Sequence, residues 1–471
     1  MLDGGAELRS GLAAKAGRRI RSVPQPAPEK STKAGAGARD RGMSTSCRYV
    51  LSQRLPVPDA RRGSIGTFVG REKRAEGRHN GRMSSDAVTI LGQVDFRSDR
   101  RLFGIKREDR FAHVYIIGKT GTGKSTLLEG MALQDLAHGN GFALIDPHGD
   151  LAERVGARVP PSRHADLAYL NAADPAQPWG YNPLRHVGPQ YIALAASGLM
   201  EVFKKMWSDA WGVRMEHILR NVLMALLEQP AATMHDVLRT FSDKTYRRAV
   251  ARSLRNDTVR HFLEHEYEKF SFGYRADGIA SIQNKVGAFL ADPMLNRILT
   301  APKQELRVRQ IMDEGKVLIV NLAKGRIGDD SSSLLGGLLV TTIGLAAYTR
   351  ADIPAGVRRD FFVYIDEFQS FTTLALANML SELRKYRVGF TIAHQYLHQL
   401  EPEIRHAVLG NAGTLISFRL GAEDAPYVSR EFQARFEDTD LVQLPNHHIY
   451  LKLMIDGMPS LAFSAATSPP E

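Results

Sequence analysis

The stretch HVYIIGKTGTGKST, residues 113–126, decides the fold of this chain. Its first part, His113 to Ile117, is a short β-rich run that ends at a glycine-rich turn. A helical pattern follows from Ser125 to Ala137 and is closed by Gly139 and Gly141. Between strand and helix the sequence matches G-x-x-x-x-G-K-[ST] at every fixed position. This order of strand, loop and helix is the context that a phosphate-binding loop requires.

A loop of this kind binds nucleotide phosphates mainly through its backbone. Glycines let the backbone N–H groups wrap the phosphates, and the helix N-terminus adds a favourable dipole. Lys124 supplies a positive charge at the β and γ phosphates, and Ser125 ligates Mg²⁺. The sequence therefore predicts ATP and Mg²⁺ as cofactors. The predicted cofactor-binding residues are Gly118, Thr120, Gly121, Thr122, Gly123, Lys124, Ser125 and Thr126.

An acidic pair follows the apolar run Phe361 to Ile365, where Asp366 and Glu367 come directly after the predicted strand. A carboxylate at such a strand end holds Mg²⁺, commonly through water, in the manner of a Walker B aspartate. Asp366 is predicted to play this part. Glu367 is predicted to be the general base, and a base here separates a hydrolase from a nucleotide-binding switch.

A polar pair also follows the apolar run Gly389 to Ala393, which leads into His394 and Gln395. We expect this run to lie beside the strand that ends at Asp366, so that the Gln395 amide reads the γ-phosphate and orients water. The alternative is an amide that only caps a loop. For His394, packing or hydrogen bonding is favoured over catalysis.

Two arginines are candidates for the cation that stabilises charge on the γ-phosphoryl group in the transition state. Ring ATPases commonly take this cation from the neighbouring subunit. Arg384 lies between the Asp366 strand and Gln395, and its alternative role is an exposed helical ion pair. Arg419 ends the run Thr414 to Phe418, and it could equally make an inter-strand or a DNA contact.

The remaining pattern predicts an α/β fold with an open, mostly parallel sheet. Further runs typical of buried parallel strands are Phe142 to Ile145 and Val317 to Val320, with helical stretches between them. Residues 191–300 show helical periodicity with almost no strand signal, and they are predicted to be an all-α insertion. Near the C-terminus, Asp456-Gly457 between two apolar runs predicts a β-hairpin.

These patterns divide the chain into four segments. Residues 1–82 lack apolar periodicity and are predicted to be a disordered basic tail. Residues 83–190 are the first part of a nucleotide-binding domain, residues 191–300 the all-α insertion, and residues 301–471 the second part of the nucleotide-binding domain. The alternative for the tail is an over-long gene start, with Met83 as a plausible second start.

The net charge of the chain, +11, is concentrated in this tail. Residues 1–82 hold 18 of the 62 Lys and Arg and 7 of the 51 Asp and Glu, which leaves 44 of each downstream. Such a tail could bind DNA phosphates without sequence preference. The only cysteine, Cys47, also lies there, so the downstream sequence contains no disulfide or thiolate metal site.

No run reaches the roughly 20 apolar residues that span a bilayer. The nearest, Leu334 to Tyr348, contains two threonines and is predicted to be a buried helix. The N-terminus is basic but lacks the apolar core of a secretion signal. We therefore expect a cytoplasmic location, or one peripheral to the inner face of the membrane.

Seven stretches of this sequence carry a family resemblance. They are IIGKTGTGKST (116–126), ALIDPHGDL (143–151), NPL (182–184), VNLAKG (320–325), YIDEFQSF (364–371), LRKYRVGFTIAHQYL (383–397) and GNAGTLISFRLG (410–421). Together they resemble the FtsK/HerA superfamily, and within it the TraG/TraD-type coupling proteins of type IV secretion and conjugation. The resemblance runs from about Leu102 to the C-terminus.

The resemblance implies a RecA-like nucleotide domain that carries an all-α domain and assembles as a hexamer, with nucleotide at the subunit interfaces and DNA in the pore. It places Arg384 where these proteins carry the trans-acting arginine. Expected partners are single- or double-stranded DNA, further copies of the chain, and relaxase or secretion-channel proteins. Membrane-anchored members begin with transmembrane helices, and no such segment is evident here. The family's nucleotide and sensor positions are matched by Lys124, Ser125, Asp366, Glu367 and Gln395.

Two functions of different classes follow from the sequence. The first is an ATP-driven motor that moves DNA, either as a coupling protein or as a free HerA-like translocase. The second is a secretion ATPase that recruits protein cargo through its α-domain and needs no DNA. The neutral charge of residues 83–471 keeps the second open, although a pore can be basic inside a neutral protein.

Overall fold

The structure, a computed structural model, describes residues 88–95, 100–300 and 303–470. The predicted disordered tail, residues 1–82, lies outside this part of the chain. The strands are β1 (Val88–Val94), β2 (Leu102–Lys106), β3 (Val114–Ile117), β4 (Gly141–Asp146), β5 (Leu167–Asn171), β6 (Trp179–Gly180), β7 (Gln304–Glu305), β8 (Val317–Asn321), β9 (Phe361–Ile365), β10 (Val388–His394), β11 (Thr414–Ser417), β12 (His448–Lys452), β13 (Met454–Ile455), β14 (Met458–Pro459) and β15 (Phe463–Thr467).

Eleven of these strands form one sheet in the order β2-β1-β15-β12-β11-β3-β10-β9-β4-β8-β5. The seven strands from β11 to β5 are parallel to one another. The four at the other end are antiparallel to their neighbours. Strands β3, β4, β8, β9 and β10 are buried along their whole length, as strands covered by helices on both faces must be. The predicted α/β class with a mostly parallel sheet is confirmed.

The helices connect these strands and fill both sides of the sheet. They are α1 (Lys124–Ala137), α2 (Asp150–Ala157), α3 (Ile192–Met206), α4 (Val213–Leu227), α5 (Met234–Ser242), α6 (Lys244–Ser253), α7 (Asp257–His261), α8 (Tyr267–Lys269), α9 (Phe272–Ala291), α10 (Pro293–Thr300), α11 (Val308–Glu314), α12 (Lys324–Ile327), α13 (Asp329–Thr349), α14 (Leu374–Leu383), α15 (Pro402–Asn411), α16 (Ala425–Glu431) and α17 (Asp438–Gln443).

The helices α3 to α10 follow one another between β6 and β7, without a strand between Ile192 and Thr300 in the described structure. Their apolar faces share a core that includes Phe203, Trp207 and Leu223. This run of helices supports the predicted all-α insertion. The division of the chain at residues 190 and 300 stays a prediction.

Helix α13 contains the longest apolar run. The helical stretch Asp329–Asp352 is long and apolar enough to cross a bilayer, but most of it is buried inside the fold. A glycine of α3 allows close packing against it, since a Cβ at Gly198 would lie 2.7 Å from the side chain of Thr341 in α13. The helix thus has the buried position that its sequence predicts for Leu334 to Tyr348.

One strand of the sheet is missing from the predicted set, and one strand prediction needs correction. β5 was not among the predicted strands, because its residues alternate between buried and half-exposed at the sheet edge and do not form a continuous apolar run. The predicted C-terminal hairpin turns at Asp456 and Gly457, which both have positive φ. However, only β13 and β14 pair across this turn, while β12 pairs with β15 in the main sheet.

A buried arginine ties helix α1 to the sheet. Arg110 donates two hydrogen bonds to Asp135, at 2.7 and 2.8 Å, and a third to the hydroxyl of Tyr364 in β9. Its guanidinium lies 3.4 Å from the centroid of the Phe362 ring. Removing one partner of a buried ion pair leaves the other charge uncompensated. Because Arg110 binds both Asp135 of α1 and Tyr364 of β9, this network holds the helix after the phosphate loop against the strand that precedes Asp366.

We expect Arg110→Ala to lower the free energy of unfolding by about 3–5 kcal/mol, because Asp135 remains buried without its partner. Urea denaturation followed by circular dichroism measures this loss. The matched control is Arg239→Ala, since Arg239 and Asp243 form an exposed pair and such pairs contribute about 1 kcal/mol or less. Equal losses in the two variants would show that the buried network does not stabilise the fold.

Candidate functional site

The predicted phosphate loop connects β3 to α1 at the carboxyl edge of the parallel strands. Gly121 and Gly123 have φ of +74° and +121°, which favours glycine at both positions. A Cβ at Gly118 would lie 2.5 Å from the Cβ of Phe418, so this glycine permits close approach of the neighbouring strand. Lys124 Nζ donates to the carbonyl oxygens of Gly118, at 2.6 Å, and Lys119, at 3.1 Å. The lysine is therefore held inside the loop.

Neighbouring segments hold this loop in place. The amide of Gly118 donates to the carbonyl of His394, and the amide of Lys119 donates to that of Arg419. On the other side, the amide of His447 donates to the carbonyl of Thr122 at 2.8 Å. The loop is thus fixed against the ends of β10 and β11, where polar residues follow buried strands.

Ser125 and Asp366 lie next to each other, with Ser125 Oγ donating to Asp366 Oδ2 at 2.7 Å. Asp366 is buried, and this burial raises its pKa to about 6, while the hydrogen bond from Ser125 opposes the rise. The nearby carboxylates of Glu367 and Asp146 raise the pKa further. A hydroxyl beside a carboxylate in an acidic, buried setting fits Mg²⁺, a hard cation that prefers oxygen ligands.

Glu367 has a strained backbone and two amide partners. Its φ of +49° lies in the left-handed region, where a non-glycine residue is uncommon and is often functional. Gln395 Nε2 donates to one carboxylate oxygen, and Gln369 Nε2 donates to the other at 2.6 Å. Both amides hold the side chain of Glu367 in one orientation beside Asp366.

Gln395 connects this carboxylate to the phosphate loop. β10 lies between β3 and β9 in the sheet, as expected for the strand that carries the sensor amide. Thr120 Oγ1 donates to Gln395 Oε1 at 2.8 Å, while the Gln395 amide nitrogen donates to Glu367. A hydrogen-bond chain therefore runs from the tip of the loop to the candidate base. This contact pattern argues against an amide that only caps a loop.

Sequence reasoning missed two polar residues of the site. Gln369 lies in a short 3₁₀ turn after Glu367, where no spacing rule singles it out. Asp146 ends β4 and accepts hydrogen bonds from the amides of His148 and Ala152, both at 2.9 Å. Its position at the end of a buried apolar run is the same signal that identified Asp366, and this signal could have identified Asp146 as well.

The two candidate arginines lie at opposite edges of the sheet. Arg384 directly follows α14 and precedes β10, so it lies at the amino edge, where its charge acts on Glu108 and on His113 before β3. It is exposed, and it takes part in no side-chain hydrogen bond or ion pair within the described residues. The neighbouring Lys385 forms the ion pair with Glu382. Arg384 therefore lies away from the phosphate loop of its own chain.

Arg419 lies at the carboxyl edge, beside its own phosphate loop. Its guanidinium donates to the carbonyl of Leu444 at 3.3 Å and to the side chain of Asn446 at 2.9 Å. These contacts fix the segment that leads into His447, which itself contacts Thr122. They favour a structural role within the chain for Arg419.

His394 packs in the core, as expected. Its ring is buried, and Nε2 lies 3.2 Å from the hydroxyl of Tyr115. Burial lowers the pKa of His394 to about 3 and that of the buried His113 to about 4. Both imidazoles are therefore neutral at pH 7 in the folded protein.

We expect the stability of the protein to fall as the pH drops from about 6.5 towards 4, because the unfolded chain binds protons on these histidines first. The depressed pKa values give stability that is complete above pH 6.5 and is lost on acidification. Urea denaturation at pH 7.5 and pH 5 measures the fall. In His394→Gln the fall should be smaller, and an identical fall would show that His394 does not contribute.

The loop, the Ser125–Asp366 pair and the held carboxylate of Glu367 define the class of P-loop nucleoside triphosphatases. A more particular assignment comes from the sequence itself. Residues 103–430 match the family described as the type IV secretion-system coupling protein DNA-binding domain, and the chain belongs to this family. The resemblance predicted from the seven stretches is thereby confirmed.

Solved structures share the fold. The bacterial conjugative coupling protein TrwB, as TrwBΔN70, is 16% identical and covers 81% of this chain and 88% of its own, with a TM-score of 0.56. TrwB with ADP and Mg²⁺ is 17% identical, covers 78% and 88%, and has a TM-score of 0.56. VirB4 of Thermoanaerobacter pseudethanolicus is 16% identical, covers 84% and 98%, and has a TM-score of 0.56. No curated protein sequence matches the chain.

Proposed function

We propose that this protein is an ATP-hydrolysing motor that moves DNA in type IV secretion or conjugation. The observation that carries the proposal is the hydrogen-bond chain from Thr120 through Gln395 to Glu367. A nucleotide-binding switch needs the phosphate loop and a Mg²⁺ ligand, whereas a carboxylate held beside them supplies a base for hydrolysis. Family membership adds DNA as the partner on which the motor acts.

Each residue of the site has a role in this proposal. Mg²⁺, when bound, neutralises charge on the phosphates, and Ser125 and Asp366 would hold it. Lys124 leaves its loop carbonyls to contact the β and γ phosphates, while the loop amides wrap them. Glu367 accepts a proton from the attacking water. Gln395 orients that water. Its contact with Thr120 of the phosphate loop lets it sense whether a γ-phosphate is bound. A solved structure of TrwB, which shares the fold, is a complex with ADP and Mg²⁺.

Arg384 would complete the site from a neighbouring subunit. Its exposed position at the amino edge keeps it from the phosphate loop of its own chain but leaves it accessible to another copy. A ring in which the amino edge of one subunit faces the carboxyl edge of the next would bring the two together. A hexamer with DNA in its central pore fits this arrangement, and relaxase or channel proteins would be its further partners at the cytoplasmic side of the membrane.

Steady-state ATPase activity of the full chain tests the proposal, measured without DNA and with single- and double-stranded DNA. We expect either form of DNA to stimulate turnover, because a motor couples hydrolysis to its track. Activity that DNA leaves unchanged but a secretion-channel protein stimulates would contradict DNA movement and favour a protein-recruiting ATPase. The absence of ATPase activity under all conditions would overturn the proposal altogether.

A further inference from the structure

A lysine of the helical segment contacts the loop that follows the candidate base. Lys205 lies in the last turn of α3, within residues 191–300. Its Nζ donates to the carbonyl oxygens of Gln369, at 2.5 Å, and Thr372, at 2.9 Å. The two contacts span 164 and 167 residues of sequence and join two distant parts of the chain.

The contacted loop is the one that orients Glu367. The amide of Ser370 donates to the carbonyl of Glu367, and the amide of Thr372 donates to that of Phe368, so residues 367–372 form a tight turn. From this turn, the Gln369 side chain donates to the Glu367 carboxylate at 2.6 Å. A cation is favoured at the carbonyl end of such a turn, because several carbonyl dipoles point towards it. Lys205 thus contacts Gln369, and Gln369 in turn contacts the carboxylate of Glu367.

The helix that carries Lys205 is anchored at the same point in the helical core. Phe203 and Trp207, on either side of Lys205, stack with their ring centroids 4.5 Å apart. Trp207 is buried, and it also stacks against Phe289 of α9 with centroids 6.1 Å apart. A displacement of α9 would therefore act through Trp207 on the helix end that holds Lys205.

The loop is also packed against the helix beneath it. Phe371 is buried, and a Cβ at Gly336 of α13 would lie 2.3 Å from its ring. The same part of α13 receives α3, since a Cβ at Gly337 would lie 3.2 Å from the side chain of Val202. α3, α13 and the loop thus form one packed unit, in which the ammonium of Lys205 makes the polar contact.

The surroundings of the ammonium indicate more than a solvated surface lysine. The Lys205 side chain is exposed over much of its length, but its amino group lies among protein atoms. This local burial lowers the pKa of Lys205 to about 8, and Glu401 opposes the shift. No ion pair of Lys205 with a carboxylate is found within 4 Å among the described residues. Lys204, the adjacent residue, is exposed as well, and within the described part of the chain it forms no side-chain hydrogen bond or ion pair with this loop. It therefore provides a matched control.

We propose that Lys205 is a positioning residue, through which the helical segment 191–300 sets the orientation of Glu367 and thereby the rate of ATP hydrolysis. The proposal rests on the proposed ATPase function. In it, the Lys205 ammonium holds the carbonyls of Gln369 and Thr372, and the Gln369 amide holds the carboxylate of Glu367. In this proposal Lys205 acts only through the loop and has no direct part in the chemistry.

Kinetics of the full-length variants Lys205→Ala, Lys205→Arg and Lys204→Ala test this role. We expect Lys205→Ala to lower kcat roughly tenfold, the effect of losing about one charged hydrogen bond in the transition state. The KM for ATP should stay within about twofold, because the phosphate loop is untouched. Lys205→Arg should recover most of the rate, and Lys204→Ala should match the wild type. Thermal unfolding of each variant shows whether it is folded.

A double-mutant cycle with Gln369→Ala makes the path itself testable. If Lys205 acts through Gln369, the double variant should be no slower than the slower single variant. Additive losses, or a Lys205→Ala protein that keeps the wild-type kcat, would overturn the proposal while leaving ATP hydrolysis intact. A wild-type protein without ATPase activity would instead count against the proposed function. A folded Lys205→Ala protein with raised KM and unchanged kcat would likewise contradict a positioning role.

Discussion

Replacing Glu367 by Gln is expected to lower the steady-state ATPase rate by about 10²–10⁴-fold while ATP still binds. The substitution keeps the size and one oxygen of the side chain but removes the basic carboxylate. One of the two amides, that of Gln369 or that of Gln395, loses its acceptor oxygen, and the attacking water loses its proton acceptor. The phosphate loop and the Ser125–Asp366 pair are unchanged, so the effect belongs to turnover and not to affinity.

Two measurements separate these effects. ATPase rates report turnover, and thermal unfolding with and without Mg²⁺ and a non-hydrolysable ATP analogue reports binding, because a ligand that binds only the folded state raises its stability. Glu367→Gln should keep the ligand-induced rise in melting temperature. Lys124→Ala, the control, should lose most of it. Normal turnover by Glu367→Gln would refute the assignment of the general base.

Arg384→Ala is expected to lower the ATPase rate by about 10³–10⁵-fold, the range known for arginines that stabilise phosphoryl transfer in trans. The substitution should lower kcat more than nucleotide affinity, because the negative charge that the arginine stabilises develops in the transition state. Lys385→Ala is the matched control, since Lys385 is the next residue and pairs with Glu382 at the surface. A wild-type rate for Arg384→Ala would remove Arg384 from the site.

Mixed rings test whether Arg384 acts on another subunit. Arg384→Ala subunits keep Glu367, and Glu367→Gln subunits keep Arg384, so a mixture forms some interfaces that contain both groups. In an equal, random mixture about one interface in four is complete. The mixture should therefore be clearly more active than either variant alone. Activity no higher than that of the single variants would show that the arginine does not act in trans.

The sequence predicts the local parts of this site well. The phosphate loop, its strand and its helix are contiguous, and the glycines needed for the backbone conformation lie at fixed spacing. The runs before Asp366 and Gln395 are apolar throughout because their strands are buried on both faces, so both strand ends are visible in the sequence. The half-exposed edge strand β5 lacks that signal, and it was missed.

Contacts that no motif indicates could not be predicted from the sequence. Lys205 and Gln369 are surrounded by ordinary helical and turn patterns, and nothing in those patterns indicates that they meet. The choice between Arg384 and Arg419 also needs the sheet order, because in the sequence each arginine simply lies close to a predicted strand. Because α14 returns the chain to the amino edge, Arg384 lies exposed and away from the phosphate loop of its own chain.

The most direct test of the central claim is movement along DNA. The full-length protein would be incubated with ATP and a DNA that carries a bound obstacle, such as a third strand or streptavidin on a terminal biotin, and displacement of the obstacle would be followed with time. We predict displacement that requires ATP hydrolysis, is absent with Glu367→Gln, and is absent with a non-hydrolysable analogue. ATP hydrolysis that DNA stimulates without any displacement, under conditions where the obstacle can be removed by a known translocase, would contradict a DNA-moving motor.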